Sequence, residues 1–149
     1  IYKLNISVEN MLKIYSKVKP EQLIHVIWKM GDGEPQKMNF MVPDDECLQA
    51  AAGVRFVKGH TFSGAHRHLP NKRITHKTQE AFIVTDGSVE LTMYDLDNKI
   101  MEKEVLNAGD CYVYLDGGHA LKILSDTAHF YEIKNGPYLG RDKDKEFIT

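Results

Sequence analysis

The chain has 149 residues, 42% of them hydrophobic and 27% charged, with 19 Lys and Arg against 21 Asp and Glu. This composition excludes wholesale disorder and suits one domain with a sizeable core. A formal charge of -2 offers no basic footprint for nucleic acid or a lipid surface, and no apolar run approaches the roughly 20 residues of a membrane-spanning helix.

The opening IYKLNISVEN lacks the apolar core of a secretory signal. Cys47 and Cys111 lie far apart and form no CxxC pair, so they read as structural thiols in a reducing compartment, and a cytoplasmic location is expected. Over residues 7–18, Val8, Met11, Leu12, Tyr15 and Val18 fall on one helical face, with Ser7 as a cap and Pro20 as a stop. That spacing predicts a short amphipathic helix. The run LIHVIW (23–28) predicts a strand closed by the turn residues GDGEP. As an uncovered apolar edge it would pair with a second copy, which predicts a homodimer. Asp44, Asp45 and Glu46 read as a solvated loop or a helix N-terminus.

From residue 54 the pattern turns to strands. VRFVKG, TFSGAHRH, EAFIVTDG, SVELTMYD, KIMEKEVL, DCYVYLD, HALKIL and AHFYEIK are separated by turn residues and predict an antiparallel sandwich or barrel. Asp86-Gly87 is a hairpin signal, and Asp95 to Asn98 a second turn. In SVELTMY, Val89, Leu91 and Met93 face one way and Glu90, Thr92 and Tyr94 the other. Tyr112 and Tyr114 alternate in the same manner with Cys111, Val113 and Leu115. The organisation expected is a single domain: an extension over 1–50, a strand-rich core over 51–135 and a charged tail over 136–149.

Histidine carries the chemistry. Four of the seven, His60, His66, His68 and His76, fall within 17 residues. On a strand, His66 and His68 would point to one side, a ready clip for a metal ion. Glu80 opens the next strand and could add a carboxylate, and His119 could add a third imidazole. Such a set suits a divalent transition metal, Zn, Fe, Ni or Mn, with positions left for water or substrate. His60 reads as an exposed strand-end residue, and His25 and His129 as partly buried strand residues. Tyr112 and Tyr114 either hydrogen-bond a ligand hydroxyl or act as general acid, or they pack between sheets. Glu132 and Lys134 share a strand face with Phe130, as a plain ion pair or as an acid–base pair lining a cavity.

The order of these residues resembles the cupin superfamily. His66-Arg67-His68, then Glu80, six residues and Gly87 match its first motif, and Gly109 followed by His119 matches its second, over about residues 54–134. The resemblance implies an all-β fold, a cupin-type antiparallel β-barrel or jelly roll behind the short N-terminal helical extension. It also implies a metal held by His66, His68, Glu80 and His119. The run YEIKNGPYLGRDKDKEF (131–147), with Asp44, Asp45 and Gln49, is similar to the signature of small cupin-fold metalloproteins found with O-antigen polysaccharide gene clusters. Eleven residues separate His68 from Glu80, more than the motif's usual gap, so LPNKRITHKTQ reads as an inserted loop. His76 has the usual spacing to Glu80 and competes with His68, although Ile74 two residues earlier cannot ligate. LDGGHA lacks the motif's usual proline. The implied function is a metal-dependent isomerase or epimerase acting on a carbohydrate or sugar-nucleotide, with Glu132, Lys134, Tyr112 and Tyr114 as catalytic candidates. A non-haem iron oxygenase and a non-catalytic saccharide-binding metalloprotein are the alternatives.

Overall fold

Alternation of apolar and polar residues is clearest over residues 80–134, and strands form there throughout. The computed structural model describes residues 6–8, 11–31, 39–40, 52–53, 56–59 and 64–149. Within them run β1 (Ile6–Val8), β2 (Met11–Tyr15), β3 (Leu23–Trp28), β4 (Asn39–Phe40), β5 (Ala52–Gly53), β6 (Glu80–Asp86), β7 (Ser88–Tyr94), β8 (Ile100–Asn107), β9 (Cys111–Tyr114), β10 (Gly118–Ile123) and β11 (His129–Lys134). One short helix follows, α1 (Arg141–Asp144). The chain is all-β. A six-stranded antiparallel sheet runs β1-β2-β3-β9-β6-β11, a three-stranded one β10-β7-β8, and β4 pairs with β5. Among the described residues no ladder joins the two larger sheets, so they pack as an open pair rather than a closed barrel.

The core lies between these two sheets. Ile14, Ile27, Phe82, Val84 and Tyr112 from the larger sheet meet Val89, Leu91, Met93 and Leu106 from the smaller, all nearly or wholly buried. Period-2 geometry explains the choice, because each of these residues alternates with neighbours that face away. On the larger sheet those neighbours are also apolar: Val26, Ala81 and Val113 join Met11 and Leu115 in a second buried cluster. The central strands are therefore apolar on both faces. The alternation read in SVELTMY and in Cys111 to Leu115 is the one observed.

Four expectations are corrected. The described residues within 7–18 form no helix: β2 is a strand paired with β1 and β3, with Leu12 opposite Ile27 and Ile14 opposite His25. The apolar residues satisfy either period, and β-branched Ile14 beside a strand of the same character tips the balance toward pairing. The strand LIHVIW is not an edge. It lies between β2 and β9 with four successive residues buried, so it presents no free ladder to a second copy. His66 and His68 stand on an irregular exposed stretch and not on a strand. Finally, Asp86-Gly87 does not close a hairpin but passes the chain from β6 in one sheet to β7 in the other. Gly87 has a φ of 74°, and a Cβ there would run into the Thr127 carbonyl. The acidic cluster Asp44 to Glu46, Gln49, Cys47 and His60 lie outside the described residues.

Buried carboxylates fix the turns. Asp95 accepts hydrogen bonds from the Ser16 hydroxyl (2.5 Å) and the Lys17 amide (2.7 Å), tying the β2–β3 loop to the β7–β8 turn. That turn is the one read at Asp95 to Asn98, closed by Asn98 N–H on the Asp95 carbonyl. Asp110 accepts from the Met30 and Asn107 amides, both at 2.9 Å, and so anchors the start of β9.

Leu91 is fully buried between the sheets, whereas Ile100 is 57% exposed. Leu91→Ala is expected to lower unfolding free energy by about 3 kcal/mol and Ile100→Ala by less than about 0.5. Urea denaturation of both variants checks this, and equal losses would contradict the two-sheet core.

Candidate functional site

Strand register builds the site. Across the larger sheet His25 pairs with Tyr114, Tyr114 with Glu80, and Glu80 with Lys134. Directly opposed residues share a face, so these four form one polar row spanning β3, β9, β6 and β11. The next row on that face is Ile27, Tyr112, Phe82 and Glu132. Phe82 stacks on Tyr112 with ring centroids 6.0 Å apart. A polar row thus sits immediately above an aromatic floor.

His119 descends on this surface from β10 of the other sheet. Its ring stands edge-on to Tyr114, Phe82 and Tyr112, with centroids 4.8, 5.5 and 5.7 Å away. The β9–β10 loop that delivers it is pinned at Asp116, which accepts from the Lys77 ammonium, the Gln22 amide (both 2.7 Å) and the Gly117 N–H. Gly117 has a φ of 79° and lies so close to the Tyr94 carbonyl that a side chain there would collide with it.

Glu80 is the centre of the arrangement. Its side chain is 7% exposed, with Oε1 2.7 Å from the Lys134 ammonium and Oε2 3.2 Å from His119 Nε2. The second contact is close but oblique, so Oε2 has charge proximity and no well-aligned donor. The His119 contact first, and Lys134 next, hold the Glu80 carboxyl down to about 2 against the opposing effect of burial. Glu80 and then Glu132 hold the Lys134 ammonium above its ordinary range. Lys134 also meets Glu132 Oε1 at 2.9 Å and Asp144 at 3.8 Å, and it stands 5.4 Å from the centre of the Tyr138 ring. Residues after β11 therefore return to the site.

Behind the row lies a buried hydrogen-bonded chain. His25 is fully buried, with Nε2 3.0 Å from the Tyr94 carbonyl and Nδ1 2.9 Å from the Tyr112 hydroxyl. The same hydroxyl is 3.4 Å from His119 Nδ1. Burial pushes His25 down to about 4, outweighing the backbone hydrogen bond and the nearby Asp95 and Asp116 charges. Burial also raises Tyr112 far above the ordinary phenol value and Tyr114 to about 12. The Tyr114 hydroxyl donates to the Gly117 carbonyl at 3.0 Å. Cys111 is pushed up to about 11 by burial, as befits an inert thiol.

The structure brings together Glu80, His119, Lys134, Glu132, Tyr112 and Tyr114, all singled out in the sequence. It does not bring His66 and His68 to them. Those two rings lie 5.2 Å apart on the exposed stretch, with His66 Nδ1 against the Gly64 carbonyl, and His76 is exposed on the same stretch. Among the described residues no group of three or more His, Cys, Asp and Glu side chains could hold a metal ion. One oxygen of Glu80 is also already taken by an ammonium. The donor set implied by the cupin resemblance therefore does not fit a metal centre in this arrangement. His25 was read as a plain strand residue; its place inside an otherwise apolar run was the signal that it needs buried partners. His129, expected to be partly buried, is exposed.

No protein-family model, curated protein or solved structure matches this chain.

The site gives two predictions. His25 stays neutral in the fold until about pH 4 but takes a proton near 6.5 when unfolded, so the unfolded state binds more protons in between. Stability is expected to fall by about 3 kcal/mol as pH drops from about 6.5 to about 4. His25→Leu should flatten that slope in denaturation curves taken across the window, and an unchanged slope would refute the assignment. The second prediction concerns the exposed histidines. A His66→Ala, His68→Ala double variant is expected to leave metal stoichiometry, measured by elemental analysis after loading with Zn or Mn, the same as in the wild type. Loss of one equivalent in this variant, and equally in Glu80→Gln, would show that the pair does join Glu80.

Proposed function

We propose that the chain is a cupin-type protein that binds a small carbohydrate or sugar-nucleotide and moves a proton at the carbon beside its carbonyl, as an isomerase or epimerase does. The observation that carries this reading is the clamped Glu80 carboxylate, held between a fixed ammonium and an imidazole over an aromatic floor. The carbohydrate class rests on the resemblance of residues 131–147, and the cupin reading on the Glu80–Gly87 and Gly109–His119 spacing.

The chemistry follows from which groups are held as fixed charges and which ring is left open to a ligand. Glu80, held near 2, stays ionised, and Lys134 stays charged. Both act as fixed charges. Tyr112 and Tyr114 have their hydroxyls engaged inside the fold and position the ring of His119. His119, 19% exposed at its side chain, is the proton carrier. Its neutral ring takes the proton from the carbon beside the substrate carbonyl, and the electron pair passes to the carbonyl oxygen, where the Lys134 ammonium meets the developing charge. Glu80 stabilises the imidazolium so formed. Returning the proton to the other face, or to the neighbouring carbon, completes epimerisation or isomerisation. No step is routed through a metal.

A second reading, a saccharide-binding module without turnover, is favoured by the pairing of Lys134 with Glu80 and Glu132 and by the Tyr114 hydroxyl being spent on the Gly117 carbonyl. One experiment separates the two. The protein is incubated in D2O with aldose phosphates, ketose phosphates and nucleotide-linked sugars, and deuterium uptake is followed by proton NMR. Uptake beside the carbonyl is expected, abolished by His119→Gln and reduced about tenfold or more by Glu80→Gln. Saturable binding without exchange would replace the first reading by the second, and absence of binding would overturn both.

A further inference from the structure

The formal charge of -2 averages over an uneven chain. Residues 47–79 hold six Lys and Arg and no Asp or Glu, whereas the remaining residues hold 13 Lys and Arg against 21 Asp and Glu. Within that basic stretch, residues 64–78 are exposed at every position and join no strand. Leu69, at 81%, is the most exposed large apolar side chain among the described residues, and Ile74 is 57% exposed on the same segment. We propose that residues 64–78 form a strap that docks on an anionic lipid surface. Arg67, Lys72 and Arg73 meet the headgroup phosphates, and Leu69 and Ile74 enter the boundary between headgroups and acyl chains.

Charge and apolarity together select this partner. Among the described residues Arg67, Lys72 and Arg73 meet no carboxylate, while Lys77 is spent on Asp116 at 2.7 Å. Unpaired cations suit phosphate oxygens, and each Lys or Arg near an anionic bilayer tightens binding about fivefold. The apolar members of the strap are aliphatic. A single-stranded nucleic acid calls for rings on which bases stack, whereas the acyl boundary takes any apolar side chain. The excess of acid elsewhere in the chain is repelled by the same surface, so the protein approaches with the strap foremost. The fold can stay intact on docking, because the Asn135 side chain clamps the end of the strap. It accepts from the Gln79 N–H at 2.8 Å and donates to the Lys77 carbonyl at 2.9 Å, just before β6 begins.

The test mixes the full chain with vesicles of phosphatidylcholine, alone or with phosphatidylglycerol, and measures binding by sedimentation. Binding is expected to the anionic vesicles alone and is expected to weaken as salt is raised. A Lys72→Glu, Arg73→Glu variant is expected to lose about a hundredfold or more in affinity, and a Leu69→Ser, Ile74→Ser variant about tenfold. Both should keep the wild-type melting temperature, since the altered side chains are exposed. Lys122→Glu, a charge reversal on β10, should change affinity by less than about threefold. Absence of binding to anionic vesicles at low salt overturns the proposal, as does equal binding to phosphatidylcholine. So does wild-type affinity in either double variant, a loss in Lys122→Glu as large as in the Lys72→Glu, Arg73→Glu variant, or tighter binding of single-stranded DNA than of anionic vesicles. No sugar enters the experiment, so its outcome is independent of the isomerase reading.

Discussion

A carboxylate that is almost wholly buried must have positive charge beside it, and that requirement at Glu80 organises this molecule. The Glu80 side chain is sealed under a sheet and a histidine loop, where an unpaired charge would cost several kcal/mol. Lys134 supplies one counter-charge from the neighbouring strand, and His119 approaches from the opposite sheet. The ammonium is in turn shared with Glu132 and approached by Asp144. Removing Lys134 or His119 leaves Glu80 short of a counter-charge, so the cluster ties the two sheets together as well as serving the proposed chemistry.

Strand register does most of the assembly. Glu80, Tyr114, Lys134 and His25 are scattered over more than a hundred residues of sequence, yet they occupy directly opposed positions on adjacent strands. A slip of one residue in any of these pairings would send a polar side chain to the opposite face, where Val26, Ala81 and Val113 pack. Apolar burial on both faces of the central strands therefore fixes the polar row. The positioning of the proton carrier depends on core packing some distance from any ligand.

Much of this was legible in the sequence where one period dominates. Val89, Leu91 and Met93, and Tyr112 with Tyr114, alternate so regularly that their faces follow directly. The spacing from Glu80 to Gly87 and from Gly109 to His119 pointed to side chains that do meet. Where two readings share the same residues, local pattern failed. Met11, Leu12, Ile14 and Tyr15 suit a helix or a strand, and only a partner strand decides between them. LIHVIW looks the same at an edge or in the middle of a sheet, since apolarity on both faces records burial but not neighbours. His66 and His68 have the spacing of a clip, but that spacing aims two rings together only on an extended strand, which the stretch does not form. The partners of His25 lie 69 and 87 residues away, beyond what any local pattern reports.

The residues after β11 add no strand to either sheet, yet Tyr138 flanks the Lys134 ammonium, Asp144 approaches it, and Ile148 packs against Gly118 next to His119. They form a wall around the charged cluster. A chain trimmed just beyond the last strand would retain every ladder and a cooperative unfolding transition. It would still have a wetter, more weakly screened ammonium and a histidine loop with one fewer neighbour. Length at this end is thus a control on local polarity, and shortened variants would differ from the intact protein in ligand preference sooner than in foldedness.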